Sequence, residues 1–93
     1  MIKEMIIQFI YAKDCPDCKD MKETLEQAIK ESCAKDLCKL QCLNSESDEA
    51  IDVAIDNDIS DLPGCVIGNY VFCGTNYTDE DILNAIDETW KNV

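Results

Sequence analysis

The chain has 93 residues, 46% of them hydrophobic, and twenty acidic side chains against eight basic ones leave a net charge of −12. That length holds one domain, residues 1–93, with a single modest core. All eight basic residues are lysine and histidine is absent, which excludes imidazole metal sites and Ser/His/Asp or Cys/His catalysis, and leaves no basic footprint for nucleic acid.

Taken in chain order, Met5 to Tyr11 is apolar almost throughout, the pattern of a strand buried on both faces in the middle of a parallel or mixed sheet. This stretch is too short to span a membrane and no small-residue cleavage site accompanies it, so a cytoplasmic address is expected. From Pro16 onward Cys18, Met21, Leu25, Ala28 or Ile29, and Ser32 or Cys33 recur at three- and four-residue steps, which predicts a helix with one inward face. Pro16 suits the first helical position, where a missing N–H costs nothing.

Leu37 to Leu43 alternates in part, with Cys38, Leu40 and Cys42 on one side, and reads as an edge strand blunted by Lys39. Ser47 offers an N-cap to a second helix of about two to three turns, carrying Ala50, Ile51, Ala54 and Ile55 and ending near Asn57. Leu62-Pro63-Gly64 punctuates the chain before Cys65-Val66-Ile67. Gly68-Asn69 then predicts a hairpin turn of the II′ kind into Tyr70-Val71-Phe72-Cys73. Thr78 followed by Asp79, Glu80 and Asp81 starts a last helix whose inner stripe is Ile82, Leu83, Ile86 and Trp90. The first two strands should be parallel through a right-handed crossover, and the last two antiparallel.

Seven cysteines, at 15, 18, 33, 38, 42, 65 and 73, are many for this length. Their odd number and the regular strand and helix patterns argue against a secreted disulfide scaffold. Cys15-Pro16-Asp17-Cys18 stands apart, because it falls between the first strand and the first helix. Two cysteines at that spacing can close a small disulfide, and the unpaired N–H groups of a helix start favour the first as a thiolate. Cys15 should be exposed and Cys18 sheltered one turn on. Lys19, four residues beyond Cys15, should favour the thiolate while Asp14 and Asp17 oppose it.

A zinc site built from Cys15, Cys18, Cys33 and Cys38 is opposed by helix length. Helical residues 18 to 33 would separate their ends by about 22 Å, whereas each sulfur must lie about 2.3 Å from one metal. No metal or cofactor is expected. The other five cysteines are read as small buried hydrophobes, with a Cys33–Cys38 disulfide and oxidation sensing at Cys42, Cys65 or Cys73 as alternatives. Cys65 and Cys73 should lie on opposite sheet faces and not pair.

The element order, the dithiol at the first strand-to-helix junction and the tract Asp61-Leu62-Pro63-Gly64 through Cys73-Gly74 together resemble the thioredoxin superfamily in its minimal glutaredoxin-like form. That resemblance covers essentially the whole chain. It implies an α/β fold of order βαβαββα, a four-stranded mixed sheet with helices on both faces, and a cis proline at Pro63 facing the cysteines. It also implies that Leu62 and Pro63 receive the substrate, with Tyr11 either lining the groove or serving as a strand-end aromatic. The motif is nearer to the glutaredoxin Cys-Pro-x-Cys than to the thioredoxin Cys-Gly-Pro-Cys. Glutaredoxins hold glutathione's carboxylates with basic side chains and the start of the last helix, but here Asp79, Glu80 and Asp81 would repel them, and Lys13 is the one nearby clamp.

The expected activity is therefore thiol-disulfide exchange by a monomeric, cytoplasmic protein-disulfide reductase or electron carrier. Cys15 would attack and Cys18 resolve, with Lys19 and Lys13 tuning the thiolate. Its partners would be disulfide-containing proteins and an upstream reductant, thioredoxin reductase or glutathione, with no nucleic acid or membrane. The alternatives are an acidic, non-catalytic adaptor for a basic protein and a glutathione-dependent glutaredoxin or iron–sulfur carrier.

Overall fold

In a computed structural model describing residues 4–32 and 36–92, seven elements follow one another: β1 (Met5–Tyr11), α1 (Pro16–Glu31), β2 (Cys38–Asn44), α2 (Asp48–Asp56), β3 (Gly64–Ile67), β4 (Tyr70–Cys73) and α3 (Asp79–Lys91). The four strands form one mixed sheet in the order β2-β1-β3-β4. As expected, β1 is interior, pairing in parallel with β2 and antiparallel with β3. β3 and β4 make an antiparallel hairpin with Ile67 opposite Tyr70. Gly68 takes the positive φ of 59° that the two-residue turn requires.

Each helix starts on a side-chain acceptor. Cys15 caps α1 with Pro16 in its first turn, Ser47 caps α2 through the Ala50 N–H, and Thr78 and Asp81 make a reciprocal capping box on α3. Helix α1 ends where the Ser32 hydroxyl and N–H both donate to the Ile29 carbonyl, at 2.8 and 3.3 Å. Cys33 lies outside the described residues, as does the proposed Cys33–Cys38 pairing.

Helices α1 and α3 cover one sheet face. Cys18, Met21, Leu25 and Ala28 of α1 and Ile82, Ala85 and Ile86 of α3 pack on Met5, Ile7 and Phe9 of β1 and Cys65 and Ile67 of β3. Thr24 donates a long hydrogen bond of 3.4 Å to Asp79, tying α1 to the first turn of α3. On the other face α2 makes a smaller cluster, Ile10, Leu43 and Ala50 backed by Val53, Ala54 and Ile59.

Burial of β1 on both faces is thus corrected to its C-terminal half. Phe9 and Ile10 are both buried, but Ile6 is 53% exposed. The nine residues of α2 reach only the end of the sheet where Ile10 and Leu43 lie. Lys39 sits on the β2 edge, paired at 3.5 Å with Glu4, a solvated contact that shields the strand more than it stabilises the fold.

The β3–β4 turn leaves no room for a side chain. A Cβ at Gly68 would lie 2.5 Å from the Thr89 hydroxyl oxygen and 2.6 Å from its methyl group, while Thr89 itself bonds the Ile67 carbonyl at 3.4 Å. Gly68→Ala should therefore lower stability by about 1–3 kcal/mol in urea unfolding. In the Thr89→Ala background the same substitution should cost less, since only the backbone penalty remains.

Candidate active site

The chain leaves β1 at Tyr11 and reaches Cys15 through a tight turn in which Asp14 adopts a left-handed φ of 58°, a conformation Asp tolerates better than most residues. Pro16 then sets the entry of α1, lacking the N–H that would otherwise compete for an acceptor. The Cys18 N–H donates to the Cys15 sulfur at 3.1 Å. The two sulfurs are joined in a disulfide, with Cα atoms 5.2 Å apart. Cys18 is 3% exposed, whereas Cys15 is half-buried, because it packs partly on the core beside Tyr11. The expected difference in access between the two holds, though Cys15 is less open than its position at the helix mouth suggests.

Beside this disulfide lies an open groove of about 670 Å³. Phe9 and Tyr11 of β1, Ala12 and Asp14 of the turn, Cys15, Pro16, Cys18, Lys19 and Lys22 along α1, and Cys42 of β2 line it. Tyr11 and Lys19 are thus at the site. Lys13, Leu62 and Pro63 do not line this groove. Leu62 borders a smaller cleft of about 250 Å³ against Ile51 and Ile55 of α2. The Leu62–Pro63 bond is cis; Pro63 is buried and its carbonyl accepts the Gly74 N–H at 2.8 Å. Among the described residues no three Cys, Asp or Glu side chains are arranged to hold a metal ion.

Besides the apolar Phe9 and Ala12, the lining residues Lys22 and Cys42 were not placed at the site by the sequence reading. Lys22 lies three residues beyond Lys19 and seven beyond Cys15, hence on the same helix flank, a spacing visible in the sequence. Cys42 could be found only through strand register, which sets it opposite Phe9. It faces the helix side like Cys38 and Leu40 but is exposed, so the reading of Cys42 as a buried space-filler is corrected. It lies on the edge strand β2, which has a sheet neighbour on one side alone, whereas Phe9 opposite it is buried.

No family model matches the sequence, and no curated protein does. Solved structures do. A thioredoxin-like protein from Clostridium perfringens superposes with a TM-score of 0.71 at 22% identity over 92% of this chain and 71% of its own. The chain has a thioredoxin-like fold. A malarial protein matches with a TM-score of 0.61 at 14% identity, over 94% of this chain and 98% of that one. The first two thioredoxin domains of Saccharomyces cerevisiae Eps1p match with a TM-score of 0.56 at 20% identity, over 94% of this chain and 36% of the two-domain chain.

Within this thioredoxin-like domain the thiols outside the disulfide differ sharply in setting. Cys65 is fully enclosed between β1 and the helices, and burial pushes its pKa from 9.0 up to about 12, partly offset by a hydrogen bond with the Phe72 backbone. Burial raises Cys38 as well, and Cys73 is partly exposed on the opposite face from Cys65. Between pH 9.0 and about 12 an unfolded chain has lost the Cys65 proton while the folded one keeps it. Stability should therefore fall as pH rises through that window. Denaturant titrations at stepped pH should show a steeper fall for wild type than for Cys65→Ala; equal slopes would contradict the assignment.

Proposed function

We propose that the protein is a thiol-disulfide oxidoreductase, acting as a cytoplasmic dithiol reductase of protein disulfides or as an electron carrier between such proteins and an upstream reductant. One observation carries this reading: Cys15 and Cys18 are already bonded at the start of α1, with the first facing an open groove and the second behind it. The asymmetry assigns the roles. In the reduced protein the Cys15 thiolate would keep the Cys18 N–H as a donor and gain from the helix end, with Lys19 adding a cation on the same flank and Lys13 a further one in the preceding turn.

The Cys15 thiolate attacks a substrate disulfide, forming a mixed disulfide and releasing one substrate thiolate. The Cys18 thiolate then attacks the Cys15 sulfur, closing the intramolecular disulfide and releasing the second. Two electrons pass to the substrate, and the pair returns to the bonded state seen here. Tyr11, in the groove, is the side chain that would meet the substrate chain. The absence of arginine, with carboxylates at the start of α3, favours protein disulfides over glutathione as the substrate held there.

Wild type should reduce insulin in the presence of excess dithiol, and Cys15→Ser should fall to the uncatalysed rate. Cys18→Ser should accumulate a covalent mixed disulfide, visible as an adduct mass that reductant removes. A Cys15→Ser variant with full turnover would refute the assignment of the attacking sulfur. Ultraviolet titration of the reduced protein should place the Cys15 thiol below the ordinary cysteine range.

A further inference from the structure

The smaller cleft, of about 250 Å³, opens on the α2 face of the sheet, with Ile51 and Ile55 on one side, Leu62 on the other and buried Ile10 at its base. Ile51, Ile55 and Leu62 are 45, 69 and 37% exposed, half of the six large hydrophobics that stand exposed among the described residues. Their convergence on one cleft marks a contact surface rather than scattered exposure. Charge is as unevenly spread. Residues 40–90 contain no lysine and twelve of the twenty acidic residues, seven of them between Asn44 and Leu62. Asp52 stands one turn from Ile55 on α2, and Asp61 lines the cleft beside Leu62. Both are exposed, and among the described residues no lysine pairs with either. The cleft also abuts the disulfide groove: Ile10 is followed by Tyr11 of that groove, whose carbonyl accepts the N–H of Ser45 in the cleft wall at 2.8 Å.

We propose that this cleft docks the disulfide-bearing protein partner, seating an apolar side chain of a lysine- or arginine-rich segment between α2 and Leu62 while the segment's cations meet Asp52 and Asp61. The proposal rests on disulfide exchange at Cys15 and names the chemistry of the partner that exchange would serve. Charge decides the occupant. A second copy of this chain would set the same carboxylates against each other, and an anionic membrane surface or a nucleic acid would be repelled for the same reason. A basic segment without apolar groups would leave Ile51 and Ile55 in water, so the occupant needs both an anchor and cations around it. Lys19 and Lys22 lie on the α1 side, which gives the two faces of this sheet end opposite charge and one orientation for a docked chain. Because the cleft and the groove share the end of β1, a segment held in the cleft keeps its disulfide close to Cys15 and raises its effective concentration there. Such binding is equal before and during exchange, so it acts on KM and leaves kcat.

The test uses the whole 93-residue chain, excess dithiothreitol and three cystine-linked peptide dimers, alike except for a flanking segment of lysine with leucine, glutamate with leucine, or lysine with serine. The lysine-leucine dimer should be reduced with a kcat/KM at least about tenfold above either of the others, the difference lying in KM. Asp52→Lys with Asp61→Lys should lower that value at least about threefold, and Ile51→Ser with Ile55→Ser should bring it toward the lysine-serine value. Should the lysine pair impair folding, Asp52→Asn with Asp61→Asn should move kcat/KM in the same direction. Glu23→Lys with Glu26→Lys makes the same change in net charge at exposed positions of α1 that line neither cavity, and should keep the preference. Equal kcat/KM for the three dimers, or a loss as large in the α1 variant as in the cleft variant, would overturn the docking site while leaving Cys15 as the attacking sulfur. No reduction of any dimer above the dithiothreitol background would overturn the exchange reading and the docking role with it.

Discussion

The site depends on how α1 begins. A helix start leaves several N–H groups without partners, and this chain answers that need with a sulfur at the N-cap and a proline in the first turn, so that the Cys18 N–H is directed at Cys15. The same residues that cap the helix are the ones that would exchange electrons in the proposed function. Structural demand and chemistry therefore act on one sulfur: the donor that completes the helix in the bonded state is the donor that would hold a thiolate in the reduced one. Replacing Pro16 would restore an N–H at the helix mouth, and moving the cysteines by one residue would turn Cys18 off the buried stripe that includes Met21 and Leu25.

What would fit Cys18 to resolve the proposed mixed disulfide is its position as the first residue of the core rather than any feature of its own. It heads the row that packs on Phe9 and Ile7, at the depth of side chains that see no solvent. Interior β1 fixes that depth, since strand neighbours on both sides hold its backbone and α1 and α3 close one of its faces. The groove lies beside the start of α1 and the C-terminal parts of β1 and β2. A site at that boundary has a rigid floor and an open side, which suits a reaction whose first step needs access and whose second needs a sheltered sulfur.

Much of this was legible in the residues because local chemistry and tertiary position agree. Pro16, Ser47 and Thr78 mark helix starts through hydrogen-bond needs that act within a few residues, and Gly68 marks the hairpin through its φ alone. Legibility ended where the answer lay in what covers what. The run Met5–Tyr11 is apolar on both faces, yet Ile6 faces solvent because α2 is too short to reach it. Leu62-Pro63 and Cys15 are 47 and more residues apart in sequence, so no local spacing relates them. Cys42 showed only an alternation shared with Cys38 and Leu40, which does not tell that it is open while its register partner Phe9 is buried.

The floor of the groove is hydrocarbon: Phe9, with Ile7 and Met21 deeper in the same cluster, and Asp14 is the one carboxylate in the lining. Opening the bridge between Cys15 and Cys18 can create negative charge above a bed with nothing ionisable to answer it. If the pair cycles as proposed, the electrical difference between its two redox states would be expressed outward, at the rim where Lys19, Lys22 and Asp14 line the groove, and an approaching molecule would meet that difference there.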